Sequence, residues 1–157
     1  MKKLLSISGL IMTLLFVFSL SGITMAEEKA TKEECVAKCR EAARQIKETG
    51  LDEVLKKISD NSGEFVWKDS YVFCFNKEKI LAHPVNFIIG MDNSNIRDAN
   101  GMLYMVEMLK VAQNNGQGWV KYMYVNRKSN DPTPQPKISY VLNVPEAGVV
   151  LGAGIFE

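Results

Sequence analysis

Apolar residues change period part-way along the chain, and that change limits the fold more than any other feature. Thr31-Lys32-Glu33-Glu34 has the spacing of a capping box, and Val36, Cys39, Ala43 and Ile46 recur behind it at helical intervals until Thr49-Gly50. Leu51, Val54, Leu55 and Ile58 repeat the pattern over a shorter stretch that ends near Asn61-Ser62-Gly63. From Phe65 the runs become short and rich in aromatic and β-branched residues: Phe65-Val66-Trp67, Tyr71 to Phe75, Ile80 to Ala82, then Trp119 to Val125, Ile138 to Val144 and Val149 to Phe156. Between the third and fourth runs, Pro84 to Asn100 is polar and irregular. Met102, Met105, Val106, Leu109 and Ala112 then resume a helical period that stops at Asn114-Asn115-Gly116, with Asp98 read as the N-cap of that helix. Asn126 to Pro136 reads as a Pro-rich surface excursion. Two helices, three strands, a loop with one helix and three longer strands predict an antiparallel sheet covered by helices, an α+β domain.

The first residues carry an address. Met1-Lys2-Lys3, the largely apolar run from Leu4 to Leu20 and the small-residue exit Thr24-Met25-Ala26 have the three parts of a secretory signal peptide, cut after Ala26. The alternative is an uncleaved anchor in the inner membrane, since Leu4 to Ile23 is just long enough for a bilayer core of about 30 Å. Either way the rest of the chain lies outside the cytoplasm, periplasmic or secreted. The expected organisation is residues 1–26 as signal peptide, 27–63 as an N-terminal helical region and 64–157 as one domain, with no room for a cytoplasmic output module.

Composition excludes several classes. With 46% apolar and 24% charged residues the chain is neither disordered nor a multi-span membrane protein. The formal charge is +1, and Lys2 and Lys3 belong to the export segment, so the basic excess of a nucleic-acid binder is missing. Cys35, Cys39 and Cys74 form an odd set for an oxidising compartment, which suggests small buried side chains or a bridge from one helical cysteine to Cys74. Cys35 and Cys39 stand four apart on a helix, about 5 to 6 Å between Cβ atoms, which is too far for an unstrained disulfide. Haem attachment is rejected on spacing, and the three cysteines with the single His83 have neither finger nor ribbon spacing, so no metal and no cofactor are expected. No nucleophile elbow, zinc-protease motif or phosphate loop occurs, and no catalytic residue can be nominated: the expectation is a non-enzyme.

From Glu64 onward the chain resembles the extracytoplasmic single Cache domain, a PAS-like sensor fold of bacterial chemoreceptors and sensor kinases. The residues that carry the match are Phe65-Val66-Trp67 with Asp69 to Phe73, Leu81-Ala82-His83-Pro84, Ile89-Gly90, Asp98 to Gly101, Gly118 to Tyr122, Pro136 to Val141 and Gly152 to Phe156. They occur in the family's order over nearly the whole of that span. The chain departs from the pattern at Met102, where a Lys is common, at Tyr124-Val125, where a Trp-Pro pair is common, and at Phe87, where a proline is often found. The resemblance implies an antiparallel sheet of about five or six strands, a long N-terminal helix on one face and a small-molecule pocket on the other, roofed by Pro84 to Asn115. It also implies a freestanding exported sensor module that binds a small organic ligand, a carboxylate first, and passes the bound state to a membrane receptor or sensor kinase.

Within that frame the expected ligand-binding residues are Trp67, Tyr71, Phe73, His83, Trp119, Tyr122, Lys137 and Tyr140, most of them polar-tipped side chains that are expensive to bury without partners. Strand alternation puts Tyr71 with Phe73, and Tyr122 with Tyr124, on shared faces, and sets Tyr140 opposite Lys137. His83 would be the pH-sensitive donor and Lys137 the positive charge for a carboxylate. Gly152 and Gly154 share a face of the last strand and would admit a close approach by another group. The alternative function is a non-ligand-binding interaction or dimerisation protein of the cell envelope, a homodimer whose seam is Val36, Cys39, Ala43 and Ile46 of the N-terminal helix.

Overall fold

The computed structural model describes residues 28–126 and 131–157, so the export segment lies outside the described residues. Among the described residues no helix is long and apolar enough to cross a membrane. Helix α1 spans Lys32–Thr49 and α2 spans Leu51–Ser59; strands β1 (Val66–Trp67), β2 (Ser70–Phe75) and β3 (Ile80–Ala82) follow, then α3 (Tyr104–Asn115), β4 (Gln117–Val125), β5 (Pro134–Val144) and β6 (Val149–Phe156). The capping box is present in both directions: the Thr31 hydroxyl accepts from the Glu34 N–H and the Glu34 carboxylate accepts from the Thr31 N–H. Gly50, at φ 90°, separates the two helices at a backbone angle that a side chain would oppose.

The sheet is antiparallel with the order β1-β2-β6-β5-β4, and β3 pairs with the same strand, β2. It has a core on each side. On one face α1 and α2 bury Cys35, Cys39, Ala42, Ile46, Val54 and Ile58 against Val72, Cys74, Tyr140, Leu151 and Ala153. On the other, α3 and the loop before it bury Ile88, Tyr104, Met105 and Met108 against Phe73, Phe75, Val120, Tyr122 and Val141. Each face therefore buries several side chains, and each fully buried one contributes about 1.5–3 kcal/mol of transfer free energy.

Four expectations are corrected here. Strand β5 begins at Pro134, not near Ile138, so both prolines lie inside the sheet. Lys137 is the last β5 residue paired to β6, opposite Phe156, so Pro136 lies beyond the end of β6, and its carbonyl takes only the Glu157 N–H. A proline without a donor is tolerated there because no partner strand needs one. Helix α3 begins at Tyr104, and Asp98 caps the loop in place of the helix: its carboxylate accepts from Asn100 and Met102 N–H and, at 2.9 Å, from Met123 N–H of β4. All three cysteines are free thiols buried between α1 and the sheet, with no bridge to Cys74. Burial pushes the Cys35 thiol up to about 11 and Cys74 up to about 12, and drives Cys39 well above the ordinary thiol range. Lastly, the expected dimer seam is consumed within the chain: Cys39 and Ile46 are buried against this protein's own sheet, with Val36 and Ala43 packed beside them.

Candidate ligand-binding site

Alternation along three strands assembles the site on the α3 face. Tyr71 and Phe73 of β2, Tyr122 and Tyr124 of β4 and, one residue past β3, His83 meet beneath Tyr104 and Met105 of α3 and Ile88 of the loop. The enclosed volume is about 20 Å³. That holds about one water molecule. The cleft expected beneath Pro84 to Asn115 is thus closed by the protein's own side chains. Tyr104 takes part in the filling: its ring stacks on that of Tyr122 with centroids 4.5 Å apart and planes 6° from parallel. Helical spacing alone does not mark Tyr104 as a pocket residue, although its i,i+4 relation to Met108 puts both on the buried side of α3.

His83 is 4% exposed, and its ring lies edge-on to Tyr71 at 4.6 Å between centroids. Its Nδ1 accepts the Val85 N–H at 2.8 Å, which leaves the ring proton on Nε2. Tyr122 shares a hydrogen bond of 3.0 Å with the buried hydroxyl of Ser139, and burial raises its phenol well above the ordinary range. The expected close approach at the last strand also has an occupant: a Cβ at Gly152 would stand 2.3 Å from the ring of Phe73, and one at Gly154 would stand 2.1 Å from Ser139 Oγ. Glycine there makes room for neighbouring side chains of the protein itself.

Lys137 is the unusual member. It is fully buried on the same face, opposite Tyr122 in β4 and Phe156 in β6. Its ammonium donates to the Tyr71 hydroxyl at 3.2 Å and lies 4.5, 4.9 and 5.0 Å from the ring centres of Tyr71, Tyr124 and Phe156. Among the described residues it forms no ion pair. Burial pulls its pKa down from the usual lysine value to about 8. Cation–π contact with three rings compensates in part for the lost water.

Beyond those rings lies a second, outer cavity of about 250 Å³, lined by Val66, Asp69, Tyr71, Val85, Tyr124 and Phe156 among others. Tyr71 and Tyr124 line both cavities. Tyr71, Phe73, His83 and Tyr122 are thus gathered around the inner cavity, and Lys137, which lines neither cavity, joins them through Tyr71. Trp67, Trp119 and Tyr140 are not among them: all three belong to the core on the α1 face, across the sheet. Trp119 stacks near Tyr140 at 5.4 Å and lies under Lys32, and Trp67 lies under Lys38. The spacing carries this signal, since Trp119 is an odd number of residues from Tyr122 and must face the other way in a regular strand. Tyr124, Phe156 and Asp69 are among the lining residues outside the expected set. Among the described residues no group of three or more His, Cys, Asp and Glu side chains could hold a metal ion.

The single Cache domain 2 family matches residues 3–157. The chain belongs to this family. Among solved structures it is similar to a periplasmic sensor domain of a chemotaxis protein, at 25% identity and a TM-score of 0.60 over 79% of this chain and 88% of that one. It shares its fold with a Cache chemosensory domain studied for carboxylic acid recognition (23% identity, TM-score 0.64, 79% and 91% covered). The same holds for a methyl-accepting chemotaxis protein from Vibrio parahaemolyticus RIMD 2210633 (20% identity, TM-score 0.64, 80% and 87% covered). The helix-sheet-roof layering of this Cache domain is thus the family's, and Tyr124 supplies one wall of the box around Lys137.

Proposed function

We propose that this chain is an exported Cache sensor module that binds a small organic acid and passes the bound state to a membrane receptor or sensor kinase. One observation carries the reading: the fully buried Lys137 ammonium, with no carboxylate within ion-pair distance among the described residues, stands behind Tyr71 at the wall of the pocket. A buried unpaired cation is costly, and a ligand carboxylate at Tyr71 would supply the missing counter-charge. The carboxylic acid recognition described for one similar Cache domain supports the same chemistry. The inner cavity of about 20 Å³ is too small for any carboxylate, so a ligand whose carboxylate reaches past Tyr71 from the outer cavity opens the inner one by lifting Tyr104 of the α3 roof away from Tyr122. Ligand affinity is then set partly by the population of the lifted state, and that difference between states is what a partner would read.

The experiment is a thermal-shift screen of the residue 27–157 chain with acetate, propionate, lactate, amino acids and amines. A ligand at 100 times its Kd adds about 2.7 kcal/mol, a shift of several degrees for a domain of this size. Hits among carboxylates that vanish in Lys137→Met and weaken in His83→Ala support the reading. A screen in which no carboxylate shifts the melting point overturns it.

A further inference from the structure

The outer cavity holds a charge opposite to that of Lys137. Asp69, in the turn between β1 and β2, lines it together with Tyr71, Tyr124 and Phe156, the three rings that box the lysine. One Asp69 oxygen accepts the Ala30 N–H at 2.7 Å, which fixes the carboxylate in place. The neighbouring Lys68 does not neutralise it, since that ammonium is engaged by Glu28 and Glu34 at 2.9 and 2.7 Å. Among the described residues Asp69 itself forms no ion pair. Among the described residues the other non-aromatic polar lining is amide, from Asn61 and Asn126. A volume of about 250 Å³ equals the liquid share of about eight waters, which suits a molecule with a handful of heavy atoms.

We propose that the ligand is a small zwitterion, an aliphatic acid bearing an amino group, with its carboxylate against Tyr71 in front of Lys137 and its ammonium against Asp69. This rests on the carboxylate reading above and narrows it. A plain acid satisfies the lysine alone. An ammonium-bearing acid satisfies both charges, and a charge-assisted hydrogen bond to a fixed carboxylate is strong enough to separate the two classes by about tenfold or more in affinity.

Matched pairs that differ only in the ammonium test it: glycine against acetate, β-alanine against propionate and 4-aminobutyrate against butyrate, titrated calorimetrically into the wild-type chain, Asp69→Asn and Lys137→Met. Asparagine keeps the oxygen that accepts from Ala30, and unliganded melting curves verify that each variant folds. We expect at least one amino acid to bind about tenfold or more tightly than its plain partner, Asp69→Asn to erase that advantage without weakening plain-acid binding, and Lys137→Met to weaken both. Plain acids that bind as tightly as their partners, or an advantage that survives Asp69→Asn, overturn the zwitterion and leave the carboxylate reading standing. If no member of either series binds, the carboxylate reading falls and the zwitterion falls with it.

Discussion

Tyr104 of α3 and Tyr122 of β4 stack face to face, 4.5 Å apart, in the space where a ligand would be enclosed. The roof is thus held down by the same contact that closes the pocket. Tyr104→Ala should cost about 3 kcal/mol of stability, the scale of a large-to-small aromatic change, read as a lower urea midpoint. It should also tighten carboxylate binding, because the ring no longer has to leave. A variant that loses stability and binds more weakly would show that Tyr104 is a ligand contact and not a plug.

Lys137 gives a pH dependence with a definite sign. Its folded pKa, about 8, lies below the usual 10.5, so between those values the unfolded chain holds more protons and stability rises with pH. Below about pH 8 the full penalty is present, on the order of 3 kcal/mol for a shift of this size. The buried thiols oppose this, since they stay protonated in the folded state while the unfolded chain loses theirs. The wild-type curve minus the Lys137→Met curve, from chemical denaturation at pH 7 to 10.5, isolates the lysine: the variant should be the more stable at pH 7 and the gap should shrink toward pH 10.5. A constant gap would refute the assignment.

Gly152→Ala places a Cβ 2.3 Å from the Phe73 ring, and overpacking of this kind costs about 1–3 kcal/mol. The ring can yield, so Phe73→Leu should recover part of the loss in a double-mutant cycle. Gly154→Ala has less freedom, with the Ile138 carbonyl oxygen 2.7 Å from its Cβ, and should be the worse of the two in thermal melts.

The cysteines should be silent in the folded protein. Buried protonated thiols react slowly, so a colorimetric thiol reagent should count close to zero in native buffer and three in denaturant. Non-reducing electrophoresis should show a monomer. A stoichiometric native reaction or a disulfide dimer would contradict the burial of Cys35, Cys39 and Cys74.

How far the chain could be read in advance depends on the range of the interaction. Thr31 and Glu34 announce α1 because a capping box is complete within four residues, and the β-prone runs announce six strands because alternation is local. Alternation also separates Tyr140 from Lys137. It likewise sets Trp119 opposite Tyr122, but which face the long helix covers, and so the side that Trp67 takes, is not a local property. Where a strand starts also depends on its partner: Pro134 and Pro136 read as a loop until β6 is seen to end beside them. The plug formed by Tyr104 against Tyr122 joins residues on separate elements, and no spacing reports it.

The first described residues are fastened to the β1–β2 turn. Ala30 hangs from Asp69, and Lys68 grips Glu28 and Glu34, just ahead of α1 and in its first turn. The turn also leads directly into the strand that carries Tyr71. The shortest polar route from helix start to pocket wall therefore runs through this turn and not through the sheet's interior.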